Sequence, residues 1–218
     1  MKHSTGEAPL AHEPPGMENH GSDTEKKRGR LIEEALQSGA CDAALISSDT
    51  ISIDPDLAGK CLEPRCENYG LSKSCPPHVG GPSAMKKKLE TMSRAIFFKI
   101  DVPSDMLYSS ERREFFQLLH EIGAGVERSA VKMGFSNAQA YAGGSCKEIF
   151  CHRHHECRLI SKKGICRHPD HSRPSMSGFG INVAALVEAA GWPKLKGARI
   201  DDSTGVKIEN IFGLILID

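Results

Sequence analysis

Seven of the eight cysteines in this 218-residue chain lie in two short windows, and nothing else in the sequence restricts its fold as tightly. The first window, CLEPRCENYGLSKSCPPH, places Cys61, Cys66 and Cys75 as C-x4-C-x8-C. The second, CKEIFCHRHHECRLISKKGIC, places Cys146, Cys151, Cys157 and Cys166 as C-x4-C-x5-C-x8-C. Neither window carries a helical or strand period, and both are flanked by glycine or proline, so each is expected to be a long loop. Free cysteine rarely crowds into loops, and a metal or cluster is what draws several thiolates together there. All seven are therefore candidate metal and cofactor ligands.

A disulfide framework is the competing use of eight cysteines. The first thirty residues hold no apolar stretch of the kind an export signal needs. A cytoplasmic location is expected, where thiols stay reduced. Lys+Arg and Asp+Glu balance at 28 each, which argues against nucleic-acid binding through a general basic surface. No run approaches the roughly 18 apolar residues of a membrane span. The polar, Pro- and Gly-containing residues 1–23 are expected to be a disordered tail, leaving 24–218 as one metal-binding domain.

Between the loops the patterns are regular. Leu31, Ile32, Ala35 and Leu36 share one stripe of a helix over 24–37, and residues 41–47 read as a buried strand. A helix follows from Pro82 with Met85, Leu89 and Met92 inward, then a strand over 94–102. Residues 110–133 read as one helix with Phe115, Leu118, Leu119, Ile122, Val126, Ala130 and Met133 on its apolar face, weakened in the middle by Gly123 and Gly125. A strand at 138–142, a short helix ending near Gly191 and a strand from Ile211 complete the order. This alternation predicts an α/β fold: a single layered domain with a central, mixed sheet and two cysteine-rich loops.

The strings Cys61…Cys66-Glu67-Asn68-Tyr69-Gly70…Cys75-Pro76-Pro77 and Gly143-Gly144-Ser145-Cys146 through Cys166-Arg167-His168-Pro169…Arg173-Pro174-Ser175-Met176…Gly180-Ile181 resemble a bacterial and archaeal cysteine-rich family called predicted metal-binding proteins. The resemblance covers roughly residues 35–218; its specific parts are the CPP and RPSM elements. It implies metal binding and supplies no reaction. The gaps between Cys61 and Cys66 and from Cys146 to Cys157 are longer than the C-x2-C pairs frequent in that family, which leaves the type of centre open.

Four sulfurs in one loop suffice for a [4Fe–4S] cluster or a zinc site. One or two [4Fe–4S] clusters are the leading expectation and zinc the alternative. His152, His154, His155, His168 and His171 read as solvated loop residues, since the second loop already offers four thiols. The first loop offers three, so its fourth ligand is Cys41, His78 or none. Arg167 and Arg173 could hold an anion or offset thiolate charge. The glycines of Gly80-Gly81-Pro82 read as turn residues. Three roles follow: an iron–sulfur protein in electron transfer, or accessory to a redox or methyl-transfer partner protein; a zinc-stapled interaction module; or an enzyme whose three-cysteine cluster exposes an open iron as a Lewis acid.

Overall fold

The computed structural model describes residues 19–194 and 197–218. The expected tail over 1–23 therefore lies largely outside the described residues, and its last part, from Asn19, is already helical. The first half of the chain holds α1 (Asn19–Gln37), β1 (Asp42–Ser47), α2 (Pro55–Gly59), α3 (Gly81–Leu89), β2 (Arg94–Pro103) and α4 (Ser104–Leu107). Then come α5 (Arg112–Lys132), β3 (Gln139–Ala142), α6 (Cys146–Ile149), α7 (Val183–Ala189), β4 (Arg199–Ile200) and β5 (Lys207–Ile217). The helix expected from residue 110 thus has a separate short turn, α4, before it, and α5 runs unbroken through Gly123 and Gly125.

The strand order is β1-β2-β5-β3, with β4 also on β5. A mixed sheet is expected from the sequence, but every pairing between these strands is antiparallel. The reason is where β5 goes. β2 and β3 run in the same direction, joined through α5 as in a parallel crossover, and β5 inserts between them against both. Among the described residues the lone parallel contact is a bridge between Ala142 and Ser175.

Strict alternation on the two central strands gives the sheet two apolar faces. Ile96, Phe98 and Ile100 of β2, with Ile211, Ile215 and Ile217 of β5, pack under Leu31 and Ala35 of α1 and Leu119, Ile122 and Val126 of α5. Ala95, Phe97, Phe212, Leu214 and Leu216 point the other way, onto Met85 of α3, Leu186 and Val187 of α7, and the segment carrying Met176, Phe179 and Ile181. The result is helices, sheet, then a layer of short helices and cysteine loops. Among the described residues no helix is long and apolar enough to cross a membrane.

Because Ser47 pairs with Arg94, residues 48–93 leave and re-enter the sheet at the same end. That connection carries the first cysteine loop. The second leaves β3 after Ala142, beside the centre of β5.

Candidate metal centre

The RPSM string joins the two loops. Ala142 N–H donates to the Pro174 carbonyl (3.0 Å), Met176 N–H donates to the Ala142 carbonyl (3.1 Å), and Ser175 N–H donates to the carbonyl of Ser74, next to Cys75 (3.0 Å). A side chain at Gly178 would place its Cβ 2.9 Å from Pro76 Cδ and from Val79 Cγ2, so the segment lies flat on the CPP turn only as glycine. Arg173 anchors this segment. It is buried, forks onto Glu127 (Nε–Oε2 3.0 Å, Nη2–Oε1 2.8 Å), and donates Nη1 to the carbonyls of Pro169 and Ser172. Its backbone N–H donates to His120 Nδ1 at 3.1 Å. Arg173, a candidate anion ligand by sequence, is thus fully engaged within the protein.

All eight cysteines are free thiols. Cys61, Cys66 and Cys75 line one cleft of about 770 Å³. Cys75 is buried beneath it and Cys66 is exposed. Burial pushes the Cys61 thiol up, and the neighbouring sulfurs of Cys66 and Cys75 add to the shift. Burial also raises Cys75, against the pull of the Ser145 and Ser72 hydroxyls. Cys75 Sγ lies 3.3 Å from Ser145 Oγ.

Cys146, Cys151, Cys157 and Cys166 line a different and much smaller cavity, about 20 Å³, together with Phe150, Arg167 and His168. Burial raises Cys151 first, and the sulfurs of Cys146, Cys166 and Cys157 raise it further while Arg167 opposes. Cys157 goes the other way. Burial works against its thiolate, but the N–H groups of Lys73, Ile160 and Leu159, with Arg167, outweigh it and hold the thiol below its ordinary value. Backbone N–H groups turned onto a sulfur suit a thiolate that serves as a ligand. Lys73 belongs to the first loop, so each loop helps to build the other's site. The two groups are also neighbours, since Cys75 Sγ reaches the hydroxyl of Ser145, directly before Cys146, and Cys146 adds to the upward shift of Cys75.

A match to the family described as predicted metal-binding protein (DUF2284) spans residues 44–217. The chain belongs to that family. No curated protein and no solved structure matches it.

The two rival fourth ligands of this DUF2284 protein both lie elsewhere. Cys41 sits at the edge of the sheet, where its sulfur accepts from Asp101 N–H at 3.3 Å, and it lines neither cavity. His78 follows the CPP turn but directs Nε2 at the Gly70 carbonyl, 3.3 Å away. His152, His154 and His155 are exposed loop residues, and His168 stacks on Phe150 at 5.2 Å between centroids. Among the described residues, no three His, Cys, Asp or Glu side chains form a group that could hold a single metal ion.

The cleft wall is what sequence inspection misses. Glu148 of α6 accepts from Arg112 Nε at 2.9 Å and from Asn68 Nδ2 at 3.0 Å, clasping the first loop to the start of α5. Arg113 and Phe116 line the cleft beside it. Only Ser145, directly before Cys146 in the GGSC string, carries a sequence signal. It caps α6 by accepting from Lys147 N–H and meets Cys75 with the same hydroxyl.

Proposed function

We propose that this is an iron–sulfur protein with two adjoining centres of different kinds. Cys146, Cys151, Cys157 and Cys166 would hold a closed cluster, and Cys61, Cys66 and Cys75 a cluster with one corner left to a small molecule. One observation carries the reading: four sulfurs line a cavity of about 20 Å³, while three line a cleft of about 770 Å³. The donor set fits. Thiolate-only ligation suits iron–sulfur clusters, and a cube takes its sulfurs at separate corners, whereas zinc draws all four onto one atom at ~2.3 Å. When bound, such clusters supply one-electron transfer and, at an iron lacking a protein ligand, a Lewis-acid position.

The chain's own residues supply the rest. The N–H groups at Cys157 and the Arg167 guanidinium offset thiolate charge, and Ser145 and Ser72 do the same at Cys75. Cys75 Sγ lies 3.3 Å from the hydroxyl of Ser145, the residue before Cys146, which gives a short path from one centre to the other. Around the closed centre, residues 147–167 carry six Lys or Arg against two Glu in a chain of zero net charge. Arg153, Arg158, Lys162 and Lys163 are exposed there. His154 is held below its ordinary value by desolvation and by Arg167, Arg158, His168 and Lys147 around it. This cationic surface suits an acidic redox partner protein. The reading is electron delivery through the second loop to a small molecule bound over the first.

Anaerobically purified protein tests it. Iron and acid-labile sulfide should each approach about eight per chain, two cubes of four. Cys151→Ser should lose about half of both, and the visible spectrum of the remainder should shift on adding cyanide. Stoichiometric zinc without sulfide would overturn the reading, as would an unchanged iron content in Cys151→Ser.

A further inference from the structure

The cleft over Cys61, Cys66 and Cys75 contains a cation that the reading above does not use. Arg113 lines the cleft from the start of α5. Its neighbour Arg112 is taken by Glu148, whereas Arg113 makes no hydrogen bond or ion pair among the described residues. Its Nε is withdrawn from solvent and has no acceptor. Its Nη groups are unbonded and remain accessible, and a guanidinium fork facing a cavity matches a carboxylate. Charge lining the cleft is three cations, Lys60, Arg112 and Arg113, against Glu67 and Glu148. The two carboxylates, with the sulfurs of Cys61, Cys66 and Cys75 on the same cleft, leave no surplus of positive charge for a phosphate dianion, whereas a single carboxylate needs only the unpaired Arg113. The opposite demand comes from Phe116, Ile149 and Ile181, which give the same cleft an apolar wall. A volume of about 770 Å³ falls within the range of small-molecule sites.

We infer that the cleft binds a small organic carboxylate, its carboxylate forked onto Arg113 and its apolar part along Phe116, Ile149 and Ile181. The inference rests on the cleft being the ligand side of the three-sulfur centre, and it names the class of molecule that side receives. The unpaired Arg113 Nη groups gain an acceptor when such a ligand is present. Arg112, already held by Glu148, fixes the α5 end of the cleft rather than the ligand.

Hexanoate is the probe, with hexan-1-ol, hexylamine and inorganic phosphate as comparators, titrated calorimetrically into anaerobically purified full-length protein. Hexanoate should bind saturably in the millimolar range, one per chain, and hexan-1-ol and hexylamine at least about tenfold more weakly, a difference of ~1.4 kcal/mol. Arg113→Gln should weaken hexanoate about tenfold and leave hexan-1-ol unchanged, while Arg113→Lys keeps part of the affinity. The visible spectrum and circular dichroism of each variant show whether the clusters and fold are intact; should Arg113→Gln fail to fold, Arg113→Lys carries the comparison. Equal binding of hexanoate by parent and an intact Arg113 variant would overturn the inference. So would hexan-1-ol binding as tightly as hexanoate, phosphate displacing it, or no saturable hexanoate binding at all. A parent protein that binds hexanoate through Arg113 yet contains no iron would sink the proposed function and leave this site standing.

Discussion

His120 has no accessible surface, accepts the Arg173 N–H on Nδ1, and meets Phe150 edge-on at 5.7 Å between centroids. Burial, with a smaller push from Arg173, lowers its pKa to about 4 against the opposing pull of the Gly143 carbonyl. In the unfolded chain the ring titrates near ~6.5. Between those values the unfolded state binds more protons than the native one, so stability rises with pH across that window. The contribution is complete above the unfolded pKa and declines as pH falls toward 4, by up to ~1.4 kcal/mol per pH unit. Urea midpoints at pH 7.5 and 5.0 check this. His120→Gln should be less stable than the parent at pH 7.5 yet lose less on acidification; equal losses would rule out His120 as a source. The seven cysteines were legible as two groups because their spacing in the chain is itself the signal. His120 and Arg113 were not. On a helix each reads as an ordinary polar residue, and its meaning comes from what the fold sets against it: Arg173, 53 residues later, or the cysteine cleft.

At the scale of elements, the pairing of β2 with β5 holds the sheet, and in it Phe98 lies opposite Gly213. A Cβ built on Gly213 would lie 2.3 Å from Phe98 Cζ, and Phe98 is wholly buried, so its ring cannot turn out into solvent. Gly213→Ala should therefore destabilise the protein by ~1–3 kcal/mol, the usual scale of overpacking. Phe98→Leu in the same background should return part of that loss, a coupling that a chemical-denaturation cycle measures directly. Additive effects would mean the ring and the glycine do not share this space. The long elements were readable because their apolar period is long. β4 was not, being two exposed residues that pair only because β5 begins at Lys207, four residues before its apolar run. The helices α2 and α6 span five and four residues, too few for a period to show inside a loop. The direction of the sheet was hidden for a different reason: α5 joins two strands of like sense, and only the insertion of β5 makes their neighbours antiparallel.

For the molecule as a whole, the two apolar faces differ in what completes them. One rests on the long helices α1 and α5, the other on short helices and the segment from Met176 to Ile181 that ties down the cysteine loops. Metal binding and folding should accordingly be linked on one side of the sheet more than on the other. Chelator-treated protein should lose amide-exchange protection across 61–75 and 146–166, while α5 and the β2–β5 pairing stay protected. Equal protection of the loops before and after metal removal would show that the fold holds them unaided. The position of β5 also bears on the order of events during synthesis. Both cysteine windows precede it in the chain, yet it is the strand to which β2 and β3 both pair. Until the ribosome has made the chain up to Ile217, neither loop has a finished sheet beneath it. For that interval seven unpaired thiols are carried on an incomplete scaffold, open to oxidation and to whatever metal arrives first. Metal offered before β5 has paired would meet loops with no finished sheet beneath them.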